Sequence, residues 1–198
     1  MRANSGRHFD KQYYDRFYGR NRPRRRELED TRKLGDFVCA YLRYIGHPVR
    51  NVLDLGCGLG LWRDAIATHY PRATYRGVEL SDYLCDEYGW VRGSVVDYRA
   101  SHRFDLVICQ DTVQYLPETK ASAAIRNLGA LARGVLYFSA PSSQDWKESV
   151  DPGVSDSNVY KRAAQWYRRR LNRSFRNLGG GVFLHRESEI VLWELEQL

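Results

Sequence analysis

Apolar and polar positions along this chain alternate between two periods. Short runs rich in Val, Ile, Leu and aromatic residues fall at about 51–55, 74–79, 90–94, 105–109 and 134–139. Between them, at about 27–44, 61–70 and 120–131, lie stretches with a helical signal. Gly46, His47 and Pro48 break the first of these helices before the first strand begins. Strands alternating with helices argue for a parallel sheet covered on both faces. The tail departs from that rhythm: Val182–Leu184 and Ile190–Leu195, separated by a turn around Arg186–Ser188, predict a C-terminal antiparallel hairpin. The fold expected is therefore α/β, a doubly wound seven-stranded and mostly parallel sheet ending in that hairpin. Near the N-terminus, Phe9, Tyr13 and Phe17, with Tyr14 and Tyr18, occupy neighbouring faces of a further short helix.

The densest chemistry lies in Asn51–Gly60, NVLDLGCGLG, where a buried strand carrying one carboxylate runs into a glycine-rich turn and then a helix. Gly56, Gly58 and Gly60 let the backbone turn tightly and approach a ligand, and the free N–H groups of the next helix point into the same crevice. The spacing is G-x-G-x-G with Leu61 next, whereas the dinucleotide fingerprint needs G-x-G-x-x-G. Asp54, two residues before the first glycine, is unwelcome beside a pyrophosphate and suits a ligand bearing an ammonium group. The following strand, TYRGVE, ends in Glu79 at the spacing of a ribose-binding acid, able to accept from two ribose hydroxyls.

The VLDLGCGLG string resembles the first motif of the class I, Rossmann-like S-adenosylmethionine-dependent methyltransferases, V-L-D-L-G-C-G-x-G. The terminal antiparallel pair after five parallel strands resembles the sheet of that superfamily. The resemblance implies S-adenosyl-L-methionine as cofactor, S-adenosyl-L-homocysteine as product, and cofactor contacts from Asp54, Gly56, Cys57, Gly58, Gly60, Glu79 and Leu80. The segment Gly93–Asp97, GSVVD, resembles the family's G-D-A-x-D. Ser94 stands where the adenine-contacting acid is usual, so its hydroxyl and the Val95 N–H would make an adenine contact without charge assistance. The strand end in FDLVICQDTVQYL would lie beneath the methionine portion and the substrate, which puts Gln110 and Asp111 at the chemistry. Asp111 reads equally well as a helix cap. In small-molecule members an N-terminal helix covers the cofactor, so the aromatic helix is expected to act as a lid, with Tyr14 or Tyr13 near the sulfonium.

The reaction implied is in-line attack of a substrate O, N, S or C atom on the cofactor methyl. No residue is identified as a catalytic base; the candidates are Asp111, Tyr14 and Tyr115, while His8, His47, His69, His102 and His185 are poorly placed for the role. The long connection 140–181 is expected to carry the acceptor site. Asp145, Trp146, Asp151, Trp166 and Tyr167 are its candidates, although Trp166, at helical spacing from Arg162 and Arg170, also suits packing.

A chain of 198 residues suits one methyltransferase domain. It divides into an N-terminal helical and basic lid segment (1–48), a cofactor-binding core (49–139), a substrate-side insertion (140–181) and the terminal hairpin (182–198). The four cysteines show neither C-x-x-C pairs nor nearby histidines, which argues against metal and disulfide frameworks. With no membrane-length apolar run and no signal-peptide core at the N-terminus, the expected location is cytoplasmic. The net charge of +7 is concentrated: residues 1–35 hold eleven Lys or Arg against five acids. A second cluster, Lys161 to Arg176, reads as a helix from about Asp156. These clusters keep an RNA or other nucleic-acid methyltransferase, or a cofactor-binding regulator, open beside the favoured small-molecule enzyme. Against it, the chain has CQDT where base-amino methylases carry N-P-P-Y or D-P-P-Y. It also lacks a Pro-Cys pair and a lysine beside that strand end. The sequence leaves the oligomeric state open.

Overall fold

The computed structural model describes residues 9–19 and 25–196. Two helices, α1 (Lys11–Tyr18) and α2 (Arg25–Tyr44), precede a seven-stranded sheet. Its first half runs β1 (Asn51–Leu55), α3 (Leu61–His69), β2 (Thr74–Glu79), α4 (Asp82–Tyr88), β3 (Val91–Arg92) and β4 (Phe104–Gln110). The second half runs α5 (Glu118–Leu131), β5 (Ala132–Ser139), α6 (Ser143–Glu148), α7 (Ala164–Leu171), β6 (Phe175–Asn177) and β7 (Val182–His185). The spatial order is β3-β2-β1-β4-β5-β7-β6. The strands β1 to β5 are parallel, and β7 runs antiparallel to both of its neighbours.

The period of two along the strands splits the core in two. Leu53, Val107, Cys109, Leu136, Phe138 and Phe183 face one cluster with α5 and α7. Their sequence neighbours Val52, Leu106, Ile108, Val135, Tyr137 and Val182 face the other, with α2 and α3. These strands therefore read as near-continuous apolar runs because both faces are buried. The register sets Asp54 opposite Gly77 of β2 and Ile108 of β4.

At the N-terminal edge of the sheet, Asp105 ties the strands to the preceding loop. Its carboxylate accepts the Arg50 and Asn51 N–H groups at 2.8 and 2.9 Å and pairs with Arg133 at 2.7 Å. Burial pushes this carboxyl up, but the Arg133 guanidinium and the two amides more than offset that and hold it below the usual carboxylate range.

Two expectations are corrected. The terminal hairpin pairs Phe175–Asn177 with Val182–His185, and Ile190–Leu195 forms no strand. That last segment alternates inward Ile190 and Leu192 with outward Val191, Trp193 and Leu195, a strand-like pattern. Both edges of β7, the strand it was expected to pair with, are already taken by β5 and β6. The boundaries at 181 and 182 accordingly cut through the hairpin. The Arg-rich helix starts at Ala164, not near Asp156, because 151–163 is spent on turns held by Asp151 and Asp156 side chains.

Candidate active site

At the C-terminal edge of the sheet the strand ends open into one cavity of about 740 Å³, within the size range of small-molecule sites. Gly56, Gly58 and Gly60 all have positive φ, at 78°, 52° and 71°. A Cβ at Gly56 would strike Thr112, whereas one at Gly58 meets nothing within 4 Å and would stand in the space a ligand needs. Glu79 clamps this turn: one carboxylate oxygen accepts from Gly58 N–H at 2.9 Å, the other from the Leu80 and Ser81 N–H groups at 2.7 and 3.0 Å. Three acceptor positions of the carboxylate are thus committed to backbone.

Asp54, 2% exposed, lies in the same wall and accepts a 2.6 Å hydrogen bond from the Tyr75 hydroxyl. Burial pushes its carboxyl up to about 7; the Tyr75 bond pulls down and the Glu79 charge pushes up. Burial likewise raises the Cys57 and Cys109 thiols far above their ordinary value, so neither is a thiolate nucleophile.

Across the cavity, β4 ends at Gln110, whose side-chain oxygen accepts the Trp62 indole N–H at 2.7 Å. Asp111 follows with φ +50°, left-handed and the only such non-glycine among the described residues. Its carboxylate lies 3.3 Å from the Ser139 hydroxyl. It is the N-cap of neither following helix: Thr112 precedes the short 3-10 turn Val113–Tyr115, and Pro117 precedes α5.

The aromatic helix α1, with Phe9 just before it, roofs the cavity through Phe9, Tyr13, Tyr14 and Tyr18. Asp10 caps it, accepting the Tyr13 N–H at 2.9 Å. The Ser81 hydroxyl donates to the Phe9 carbonyl, fixing the helix over the end of β2. Tyr13 and Tyr115 join hydroxyls at 3.0 Å. Burial raises the phenols of Tyr13, Tyr14 and Tyr115 well beyond their usual value, which favours their protonated form.

The cavity thus brings together Asp54, Gly56, Cys57, Gly58, Glu79, Leu80, Ser94, Val95, Gln110, Asp111, Tyr14 and Tyr115. Gly60 is outside that wall; it caps α3 in a left-handed conformation, and a Cβ there would strike Trp90 at 2.5 Å. Of the acceptor-side candidates, Asp145 and Trp146 line the cavity. Tyr167 is in the core, Asp151 holds its own turn through Gly153 N–H, and Trp166 packs between Arg162 and Arg170 while donating to Glu118.

Sequence reasoning missed Trp90, whose indole donates to the Gly58 carbonyl at 3.0 Å and braces the glycine turn. It also missed Gln114 and Asp156 as wall residues. A tryptophan beside the third strand was the one available signal. Arg20, Arg22 and Arg24 of the basic arm, like His8, lie outside the described residues. No helix among the described residues is long and apolar enough to cross a membrane.

The chain is 29% identical over 116 residues to a ubiquinone biosynthesis O-methyltransferase of Coxiella burnetii, covering 50% of this chain and 48% of the relative. It is 26% identical over 142 residues to a malonyl-[acyl-carrier protein] O-methyltransferase of Legionella pneumophila, covering 65% and 49%. The chain therefore aligns with about half the length of these relatives. In fold it is similar to magnesium protoporphyrin IX methyltransferase from Synechocystis PCC 6803, crystallised with S-adenosylhomocysteine (TM-score 0.64, 19% identity, 90% of this chain and 95% of that one). It is also similar to the N-methyltransferase NodS from Bradyrhizobium japonicum (TM-score 0.61, 16% identity, 89% and 98%). A family model described as a methyltransferase domain matches residues 8–191, nearly the whole sequence, and this chain belongs to that family.

Proposed function

We propose that this protein is an S-adenosylmethionine-dependent methyltransferase acting on a small-molecule acceptor. The observation that carries the reading is one cavity running from the Asp54–Glu79 wall to Asp111 beneath an aromatic roof. The residues present fit the cofactor. Asp54 would face the ammonium of the amino-acid portion, Glu79 has acceptor capacity left for a ribose hydroxyl, and Gly58 leaves room where a side chain would block. Ser94 and Val95, in the same wall, would flank the adenine.

When bound, the sulfonium supplies a methyl group already activated toward nucleophiles. The chain's own residues have less chemistry to do than positioning. Trp90 and Glu79 hold the glycine turn rigid, α1 closes the site from water, and good alignment alone can supply about 7–11 kcal/mol. Asp111, the carboxylate at the strained strand end, is the group placed to accept a proton from an acceptor that arrives protonated.

A nucleic-acid acceptor has weaker support. Arg162 and Arg170 of the second basic cluster both pair with Glu118, at 3.5 and 3.0 Å. Among the described residues the cavity presents carboxylates, where a phosphate would need cations.

Calorimetric titration of the full chain with S-adenosylhomocysteine tests the proposal. Saturable heat with a thermal shift is expected. No heat and no shift at millimolar ligand would overturn it.

A further inference from the structure

The acceptor end of the cavity is assembled from distant segments: Gln114 and Tyr115 after β4, Trp146 on α6, Asp156 in the loop before α7, and Phe9 and Tyr13 from the roof. Three buried polar atoms in this wall have no hydrogen-bond partner: Gln114 Oε1, Trp146 Nε1 and Asp156 Oδ2. Gln114 is 5% exposed, and its backbone carbonyl is already occupied by the Tyr160 N–H at 2.8 Å, so its amide oxygen is the group held in reserve. Asp156 is held in place through its other oxygen, which accepts the Asn158 N–H at 2.9 Å. Buried acceptors are rarely left without donors, least of all a carboxylate oxygen.

The charge balance points the same way. Six carboxylates line the cavity and, among the described residues, no Lys, Arg or His does, in a chain of net charge +7. Lys161 is stacked on the Trp146 ring at 4.6 Å without entering the wall, and Arg162 is turned to the Val113 and Leu116 carbonyls. Phe9 packs edge-on against both Tyr13 and Tyr115, an aromatic box whose ring faces attract cations.

Resting on the reading of this cavity as a methyltransferase site, we propose that its acceptor is a small amine, bound as the ammonium with Asp156 as counter-charge and Gln114 Oε1 as hydrogen-bond acceptor. For transfer the nitrogen sheds one proton, to Asp111 and thence to solvent. Its freed lone pair forms the bond to the methyl carbon, and the pair of the broken carbon–sulfur bond stays on sulfur. Anionic acceptors such as carboxylates are disfavoured by the same wall.

The test uses the full chain, with and without S-adenosylhomocysteine, and three probes of one shape: 2-phenylethylamine, 2-phenylethanol and phenylacetate. The amine is expected to bind at least tenfold more tightly than the alcohol, with no heat from phenylacetate. Asp156→Asn is expected to lower amine affinity at least tenfold, leaving the alcohol within twofold and S-adenosylhomocysteine unchanged. Should that variant lose S-adenosylhomocysteine binding through misfolding, Gln114→Met serves in its place, with an expected threefold or greater loss for the amine alone. Phenylacetate binding as tightly as the amine, an amine preference untouched in the folded variant, or no binding of any probe would overturn the inference. Failure of S-adenosylhomocysteine itself to bind the unaltered chain would instead overturn the methyltransferase reading.

Discussion

Asp105 and Asp54 lie in adjacent parallel strands and are both almost wholly buried, yet the fold treats them in opposite ways. Asp105, at the N-terminal edge, is given two amides and a guanidinium, and is held below the usual carboxylate range. Asp54, facing the cavity, accepts a bond from Tyr75 and is pushed by burial up to about 7. A buried acid that the chain satisfies is an element of structure. One left costly at a cavity wall is what the proposed cofactor site requires.

The largest expected effect lies on the structural side of this contrast. Asp105→Ala strands two amides and Arg133 and should cost about 3 kcal/mol of stability, measured by urea unfolding, with S-adenosylhomocysteine affinity unchanged in the folded protein. Because the folded-state pKa of Asp105 is depressed, its contribution is fully present above the unfolded-state value and is lost as pH falls toward the folded one. Acid unfolding of Asp105→Asn should therefore lose part of its pH dependence there. An unchanged acid limb would break the contrast.

On the cavity side, Glu79→Ala removes both the clamp on the glycine turn and the proposed ribose acceptor. Its expected cost is about 2 kcal/mol in S-adenosylhomocysteine affinity, roughly thirtyfold by calorimetry. Asp54→Asn should cost less, roughly tenfold, and the loss should depend on pH. An ammonium needs the ionised carboxylate, so affinity in the unaltered chain should rise as pH climbs through about 7, whereas in Asp54→Asn it should be flat across that range. The stability sign is the reverse of that for Asp105. The folded state keeps a proton that the unfolded chain releases earlier, so Asp54 lowers stability as pH rises from the ordinary carboxylate value to about 7. Asp54→Asn should remove that decline.

These differences also explain what the sequence disclosed. The strand, glycine turn and helix of 51–69 are contiguous, so Asp54, Gly56 and Gly58 could be set at one sheet edge from local pattern, and Glu79 by strand spacing. The doubly wound order was legible for the same reason. Gly60 was not separable from its neighbours, because a glycine required by Trp90 reads the same as one required by a ligand. The true hairpin was hidden because Phe175–Asn177 is too short to show a period, while Ile190–Leu195 shows one although β7 is already paired on both sides. Trp146 was signalled by the long 140–181 connection, but Gln114 and Asp156 meet it only in three dimensions, so no spacing could announce them.

The smallest effect sharpens the contrast at the roof. Tyr13 and Tyr115 satisfy one another through their hydroxyls across 102 positions of sequence, which makes the pair look structural. Both nonetheless line the cavity, and the bond spans the gap between α1 and the end of β4. Tyr13→Phe keeps the ring contacts with Phe9 and Phe17 and removes the hydroxyl that makes that bond. If the pair holds the roof closed over a ligand, the variant should keep its global stability within about 1 kcal/mol while S-adenosylhomocysteine dissociates a few-fold faster in stopped-flow measurements. A stability loss with an unchanged dissociation rate would move Tyr13 to the side of Asp105, as a group the fold uses for itself.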